Sequence, residues 1–382
     1  MTRQELDDRI LGAVVGATIG DALGGAFEGC SREHIIGRTG TDWIDDLWDY
    51  GPGFGAYGVW CANAPKGLGT DDTRMNHIFL ETVIEHGAEI SPQRLAMSYI
   101  LRYQHPERYY HSQHVDLARA HLRDFYGVSC ACLGMPCDLH PGAPLYALRE
   151  RSFGCRFPTL IGLLSLACAG CLFAGRSIEA YKKAFELSYF DVGYAKEACG
   201  LHAAAVSMAL GGVQDMAVIL RELSTLDPFQ FSASPFNEPL NRAAATAQEL
   251  AEQAGDAREL SVLLSRKLMP LHVFDPIDTL TVCFAANAFA KGDPREAILI
   301  AANHRNVDAD GNLVHFRDND CTGYVAGALA GALAGFSKLP AAWAECVLSA
   351  NKSVYGIDIV KNVHAFCDVV HGERPGAPSG SL

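Results

Sequence analysis

The sequence predicts an all-α fold. Apolar residues recur at helical spacing through most of the chain, and alternating strand patterns are nearly absent. Two segments also carry glycine at every fourth position: Gly12, Gly16, Gly20 and Gly24 in the first, Gly323, Gly327, Gly331 and Gly335 in the second. That spacing lines one helix face with small residues. Glycine inside a helix costs about 1 kcal/mol relative to alanine, so these repeats call for close backbone approach between buried helices. Either the two stripes pack on each other, or each packs on another core helix.

Residues 6–28 form the first helix. Its end, Gly20-Asp21-Ala22-Leu23-Gly24-Gly25-Ala26-Phe27-Glu28, sets two carboxylates in an apolar context. Glu28 is a candidate acid or base, the alternative being a helix-end carboxylate in water. Residues 29–66, rich in glycine and aromatics, are expected to be irregular, as a lid, a substrate wall or a surface loop. Helices follow at 71–87, 92–103 and 112–125, the second opened by Ser91-Pro92. Residues 126–155 read as loop, with Pro136, Pro141, Gly142 and Pro144. Helices then run at 159–174, 177–188, 193–210, 214–224, 238–253, 256–267, 275–290 and 294–303. Residues 307–316 read as a short β-hairpin with an Asp-Gly turn. The second glycine-striped helix runs to Phe336, and helices at 340–350 and 356–371 close the fold. No linker-like run interrupts residues 1–371, which read as one large domain. Residues 372–382, with Pro-Gly-Ala-Pro-Ser-Gly-Ser, read as a disordered tail.

Two acidic clusters carry the chemistry. Gly69-Thr70-Asp71-Asp72-Thr73 precedes apolar residues at helical spacing, which places adjacent carboxylates at a helix N-terminus where the backbone favours negative charge. The plain reading is a cap. Near the other end, Arg317-Asp318-Asn319-Asp320-Cys321-Thr322 opens the second striped helix with a similar oxygen-rich patch. Brought together, the two patches suit a hard cation such as Mg²⁺ or Mn²⁺.

Other features read as structural. Cys168-Ala-Gly-Cys171 lies in an apolar run and reads as buried thiols rather than a redox pair. The uncharged run 157–175 approaches the length of a membrane span, but Pro158 and its scattered Ser, Thr, Cys and Gly favour a buried central helix. Cys130, Cys132 and Cys137 lack a matching pair at zinc-finger spacing, His111 and His114 read as surface or capping residues, and His202 as a buried core histidine. The Asn306/Asp308/Asp310 spacing mimics a calcium loop but has Arg317 where the closing Glu belongs.

A net charge of −13 argues against a general nucleic-acid or anionic-membrane binder. The polar start of the chain predicts no signal peptide, so its 13 cysteines are expected as reduced thiols and the protein as cytoplasmic.

These motifs in this order resemble the ADP-ribosylglycohydrolase family: Gly20-Asp-Ala-Leu-Gly24 with Glu28, Gly69-Thr-Asp-Asp-Thr73, and Asp318-Asn-Asp320-Cys-Thr322 leading into Ala326-Gly-Ala-Leu-Ala-Gly331. The resemblance spans residues 9–365. It implies an orthogonal helical bundle with a centre of two Mg²⁺ or Mn²⁺ ions. It assigns Thr70, Asp71, Asp72, Asp318 and Asp320 as metal ligands, and Glu28, Asp72 and Asp318 as catalytic carboxylates. The family usually has Asp-Thr-Asp-Thr at the second motif. Here Cys321 falls where the last Thr belongs, so either Thr322 supplies that ligand or water replaces it, a thiol being a poor partner for Mg²⁺. Ser152-Phe-Gly-Cys-Arg156-Phe-Pro158 faintly resembles the family's loop around ADP-ribose. The implied reaction is hydrolysis at the ribosyl C1″ of an ADP-ribose-containing or other ribosyl substrate, by a monomer or weak homo-oligomer. The alternatives are hydrolysis of an N-ribosyl bond in a nucleoside-type small molecule, and a non-catalytic nucleotide-binding or structural family member.

Overall fold

The computed structural model of the chain describes residues 1–51, 64–111, 114–233, 242–268 and 274–373. They form eighteen α-helices and one two-stranded antiparallel hairpin, so the fold is all-α. Helix α1 (Arg3–Gly25) opens with a capping box in which Thr2 and Glu5 satisfy each other's backbone N–H groups. Then come α2 (Arg32–Thr39), α3 (Asp71–His86), α4 (Pro92–Gln104), α5 (Val115–Leu133), α6 (Leu145–Arg151), α7 (Phe153–Arg156) and α8 (Ile161–Ser165). The middle holds α9 (Ser177–Leu187), α10 (Tyr194–Leu210), α11 (Met216–Leu223), α12 (Arg242–Gln253), α13 (Ala257–Lys267), α14 (Pro276–Ala290) and α15 (Pro294–Ala302). Strands β1 (Arg305–Val307) and β2 (Leu313–Phe316) lead into α16 (Asn319–Ala334), and α17 (Ala341–Tyr355) and α18 (Ile359–Val370) end the chain.

The two glycine stripes pack on each other. A Cβ on Gly12 would come within 2.5 Å of the Gly331 carbonyl, and one on Gly16 or Gly20 would overlap the carbonyl of Gly327 or Gly323. Gly24 lies against the backbone of Asp320. The pairs run in opposite order, so α1 and α16 lie antiparallel, and the end of α1 meets the start of α16. Both helices are buried along most of their length, and their apolar side chains join a contiguous core that reaches from Ile10 to Val369.

Several elements differ from expectation. The stretch 29–66 contains α2, begun by Ser31, whose hydroxyl accepts from the His34 N–H, and closed by Gly40 in a left-handed conformation. Residues 52–63, which hold Phe54, Tyr57 and Trp60 of the expected lid, lie outside the described residues. The expected loop 126–155 is largely helical, because α5 continues to Leu133 before Gly134 ends it, and α6 and α7 follow. The expected helix 159–174 breaks into α8 and a 3₁₀ turn, Ala169–Phe173. Tertiary contacts impose the break: the Gly162 N–H donates to Asp191 at 2.9 Å, and Gly170 lies against the Ala203 carbonyl. Glu373, placed in the tail by sequence, is held by an ion pair of 2.6 Å to Arg3, and residues 374–382 lie outside the described residues. Among the described residues no helix is long and apolar enough to cross a membrane.

Candidate metal centre

The junction of α1 and α16 builds the site. Asp21, fully buried on α1, accepts from the Thr70 N–H at 2.9 Å, the Thr73 N–H at 3.2 Å and the Thr73 hydroxyl at 2.6 Å. It therefore satisfies backbone donors that the first turn of α3 leaves open. The loop before α3 is pinned from behind: Tyr50 donates to the Leu68 carbonyl, Asn351 donates to the Gly67 carbonyl and accepts from the Gly69 N–H, and Tyr355 donates to the Gly69 carbonyl. Thr70 caps α3, its oxygen accepting from the Asp72 N–H at 3.3 Å. The cap reading of this motif is thus correct for Thr70, and the two carboxylates that follow face the start of α16.

A cavity of about 160 Å³ opens there, and Glu28, Asp71, Asp72, Asp124, Asp318 and Asp320 all line it. Two groups in it have donor atoms close enough to hold a cation. One comprises Asp72, Asp320 and Cys321, the other Glu28, Asp318 and Asp320, with the atoms of each group within 4.8 Å of one another. Asp320 belongs to both. One oxygen each of Asp72, Asp318 and Asp320 is buried without a hydrogen-bond partner. Buried carboxylate oxygens without donors are costly, and a divalent cation satisfies them, so the residues fit such an ion.

The electrostatics agree. Burial, then the charges of Asp320, Asp318, Asp71 and Asp21, pushes Glu28 up to about 10. Burial and the Asp320 charge raise Asp21 to about 7 against the hydrogen bonds from Thr73 and Thr70, and burial with the Asp71 charge raises Asp320 to about 6. Asp72 and Asp318 are also raised, burial first and neighbouring carboxylates second. Asp71 is the exception. Burial opposes its charge, but the hydrogen bond and charge of His121, 3.3 Å away, hold it at about 2. So many carboxylates in one buried space need either protons or positive charge. The nearest arginine in sequence does not supply it: Arg317 turns away to Asp278 and to the carbonyls of Ser265 and Leu268.

The sequence profile of the ADP-ribosylglycohydrolase family matches residues 2–374. The chain belongs to the ADP-ribosylglycohydrolase family. A solved structure titled as an ADP-ribosylglycohydrolase-related protein complex is similar in fold, with 20% identity, a TM-score of 0.58, and coverage of 97% of this chain and 100% of that one. No curated protein matches the chain.

In this ADP-ribosylglycohydrolase family member Glu28, Asp71, Asp72, Asp318 and Asp320 are brought together around one cavity. Thr70 adjoins the cluster as a cap and does not line the cavity. Thr322 is not brought in: it does not line the cavity, and its hydroxyl donates to the Ala301 carbonyl at 3.0 Å and lies 3.1 Å from the Asp318 carbonyl. Cys321 faces the cavity instead. Ser152 and Gly154 also line this cavity.

Sequence reading missed His121, Asp124, Asn351 and Tyr355, which have no motif and come from distant helices. Asp21 was visible as a carboxylate but not as the group that positions α3. The calcium-like loop is a turn, with Asp308 accepting from the Asp310 and Asn312 N–H groups at 2.9 Å.

Proposed function

We propose that this chain hydrolyses a ribosyl C1″ glycosidic bond with the help of two divalent cations, Mg²⁺ or Mn²⁺, releasing ADP-ribose from a modified protein side chain or an ADP-ribosylated small molecule. Family membership supports the reaction class. One observation carries the rest: carboxylates from three separated stretches meet in a single cavity as two donor groups joined at Asp320, with three of their buried oxygens unpartnered.

When bound, the cations supply the positive charge that grips vicinal ribose hydroxyls and acidifies a water. The remaining work falls to the chain. Asp72 and Asp318 line the cavity, where a carboxylate would stabilise an oxocarbenium-like state and take the proton of the attacking water. Glu28 lines the same cavity and is the carboxyl group assigned to proton exchange with the leaving group. His121 keeps Asp71 ionised and oriented.

Release of free ADP-ribose from arginine-, serine- and O-acetyl-linked substrates tests this reading, with Asp71→Asn and Asp318→Asn beside wild type. The expected loss is about 100-fold or more in each variant, together with loss of metal uptake by calorimetry. Failure of the wild-type protein to bind either ion would leave the non-catalytic reading.

A second reading has its own support. The far wall of the cavity is apolar, built by Met75, Phe125, Leu160, Leu164, Phe190 and Phe274, and among the described residues that line it there is no Lys or Arg. A diphosphate finds neither Lys nor Arg among these residues, whereas an uncharged aromatic group is accommodated by the apolar wall, as in a nucleoside-type N-ribosyl substrate. Turnover of nucleosides alone in the same assay would favour it.

A further inference from the structure

We propose that Cys321 is a metal ligand, and that it divides the centre into two unlike positions. The position made by Asp72, Asp320 and Cys321 takes a borderline, sulfur-tolerant cation such as Zn²⁺. The position made by Glu28, Asp318 and Asp320 takes a hard cation such as Mg²⁺ or Mn²⁺. The inference rests on the reading that the acidic cluster binds two divalent cations, adds Cys321 to the donors, and replaces Mg²⁺ or Mn²⁺ at one of the two positions.

The Cys321 sulfur lies within 4.8 Å of carboxylate oxygens of Asp72 and Asp320. Cys321 is 6% exposed, and its side chain lines the cavity. The hydroxyl next to it in sequence does not take its place, because Thr322 does not line the cavity and is committed to the backbone carbonyls of Ala301 and Asp318. Rotating α16 to exchange them is blocked by the glycine contacts with α1, which fix the helix at Gly323 and at the Asp320 backbone. Asp72 and Asp320 are both at least nine-tenths buried, and each has one carboxylate oxygen with no hydrogen-bond partner. They mark a place for a cation independently of the thiol.

Ligand chemistry then decides the ion. A thiolate beside two carboxylates is a donor set that Zn²⁺ accepts and Mg²⁺ disfavours, since Mg²⁺ requires oxygen ligands in near-octahedral array. The neighbouring position offers oxygen donors only.

The test uses full-length protein stripped with a chelator and reloaded. With Co²⁺ as the probe, wild type is expected to give a sulfur-to-metal charge-transfer band in the near ultraviolet at the first equivalent, and Cys321→Ser and Cys321→Thr are expected to lack it. Calorimetry with Zn²⁺ is expected to show affinity falling about 10- to 100-fold in both variants, at least the loss seen when an outer-shell partner of a metal ligand is removed. Mg²⁺ or Mn²⁺ uptake at the second position persists in both. The serine variant keeps the size of the side chain, so the comparison survives if the threonine variant misfolds. Binding of Mg²⁺ or Mn²⁺ with no Co²⁺ band, or a band unchanged in Cys321→Ser, overturns the Cys321 assignment and leaves the metal reading standing. Absence of any divalent-ion binding by wild type overturns both.

Discussion

Gly20 and Gly323 meet backbone to backbone. A Cβ on Gly20 would overlap the Gly323 carbonyl, and one on Gly323 would come 2.5 Å from the Gly20 carbonyl oxygen. Asp21 follows the first glycine and Asp320 lies just before the second, so this contact sets the distance between the carboxylates of the two chain ends. Gly20→Ala is therefore expected to destabilise the protein by at least about 1–3 kcal/mol through overpacking against rigid backbone, and to weaken metal binding. Gly37→Ala in α2, where a Cβ meets nothing within 4 Å, serves as the control and is expected to stabilise by about 0.4–1 kcal/mol. Thermal melts of the two variants decide it, and equal melting temperatures would show that the stripe does not require glycine.

Asp21 contributes by placing α3. Asp21→Asn presents an amide N–H₂ or a weaker acceptor to three donors, at Thr70 N, Thr73 N and Thr73 Oγ1. The expected cost is about 1–3 kcal/mol, with weaker Mn²⁺ binding. Thr73→Val, which removes one of these donors and leaves the carboxylate, is expected to cost less.

The raised carboxylates make metal uptake depend on pH. Glu28 at about 10, Asp21 at about 7 and Asp320 at about 6 mean that the cation-free cluster keeps protons at neutral pH. A cation must displace them, so affinity for Mn²⁺ is expected to rise from roughly pH 5 to pH 8 with proton release. Titration calorimetry in two buffers of different ionisation enthalpy measures that release. A pH-independent affinity with no protons released would mean that the ion binds elsewhere.

Asp191 provides a stability test away from the cluster. Burial lifts it from 3.8 to about 7, despite the Gly162 N–H bond and the nearby Lys196 charge. The folded chain then holds a proton that the unfolded chain has lost, so the contribution of Asp191 is present below pH 4 and is lost as pH rises through 7. Asp191→Asn cannot ionise. Its melting temperature is expected to gain on wild type between roughly pH 5 and pH 8, and a constant gap would contradict the assignment.

Thr322 separates stability from metal binding. Its hydroxyl ties α16 to the Ala301 carbonyl, so Thr322→Val is expected to lower stability by about 1 kcal/mol. Metal stoichiometry, read by calorimetry, should not change. Loss of one bound ion in this variant would return Thr322 to the ligand set.

Much of this protein could be read along the chain. The helical period gave the fold class, and the glycine spacing gave two helices able to approach closely, because both signals depend on local geometry alone. The acidic motifs, too, were visible as short patterns. Element boundaries were less legible where tertiary contacts compete with the local pattern. The run 159–174 has the composition of one helix, yet Asp191 and the Ala203 backbone divide it. The helix α2 hides in a stretch whose glycines and aromatics suggested loop.

The sequence by itself determined which residue types were available: carboxylates at both ends, glycines to let their helices touch, and a cysteine where a hydroxyl was expected. Only the tertiary structure decided which of them share a space. It turned Cys321 toward the cavity and Thr322 away, because residues one apart on a helix face different ways. It brought His121 to Asp71 and Asp21 to the start of α3 across stretches that no local pattern connects. A donor set is defined by distances of a few ångströms, and those distances are fixed by helix packing rather than by chain neighbours.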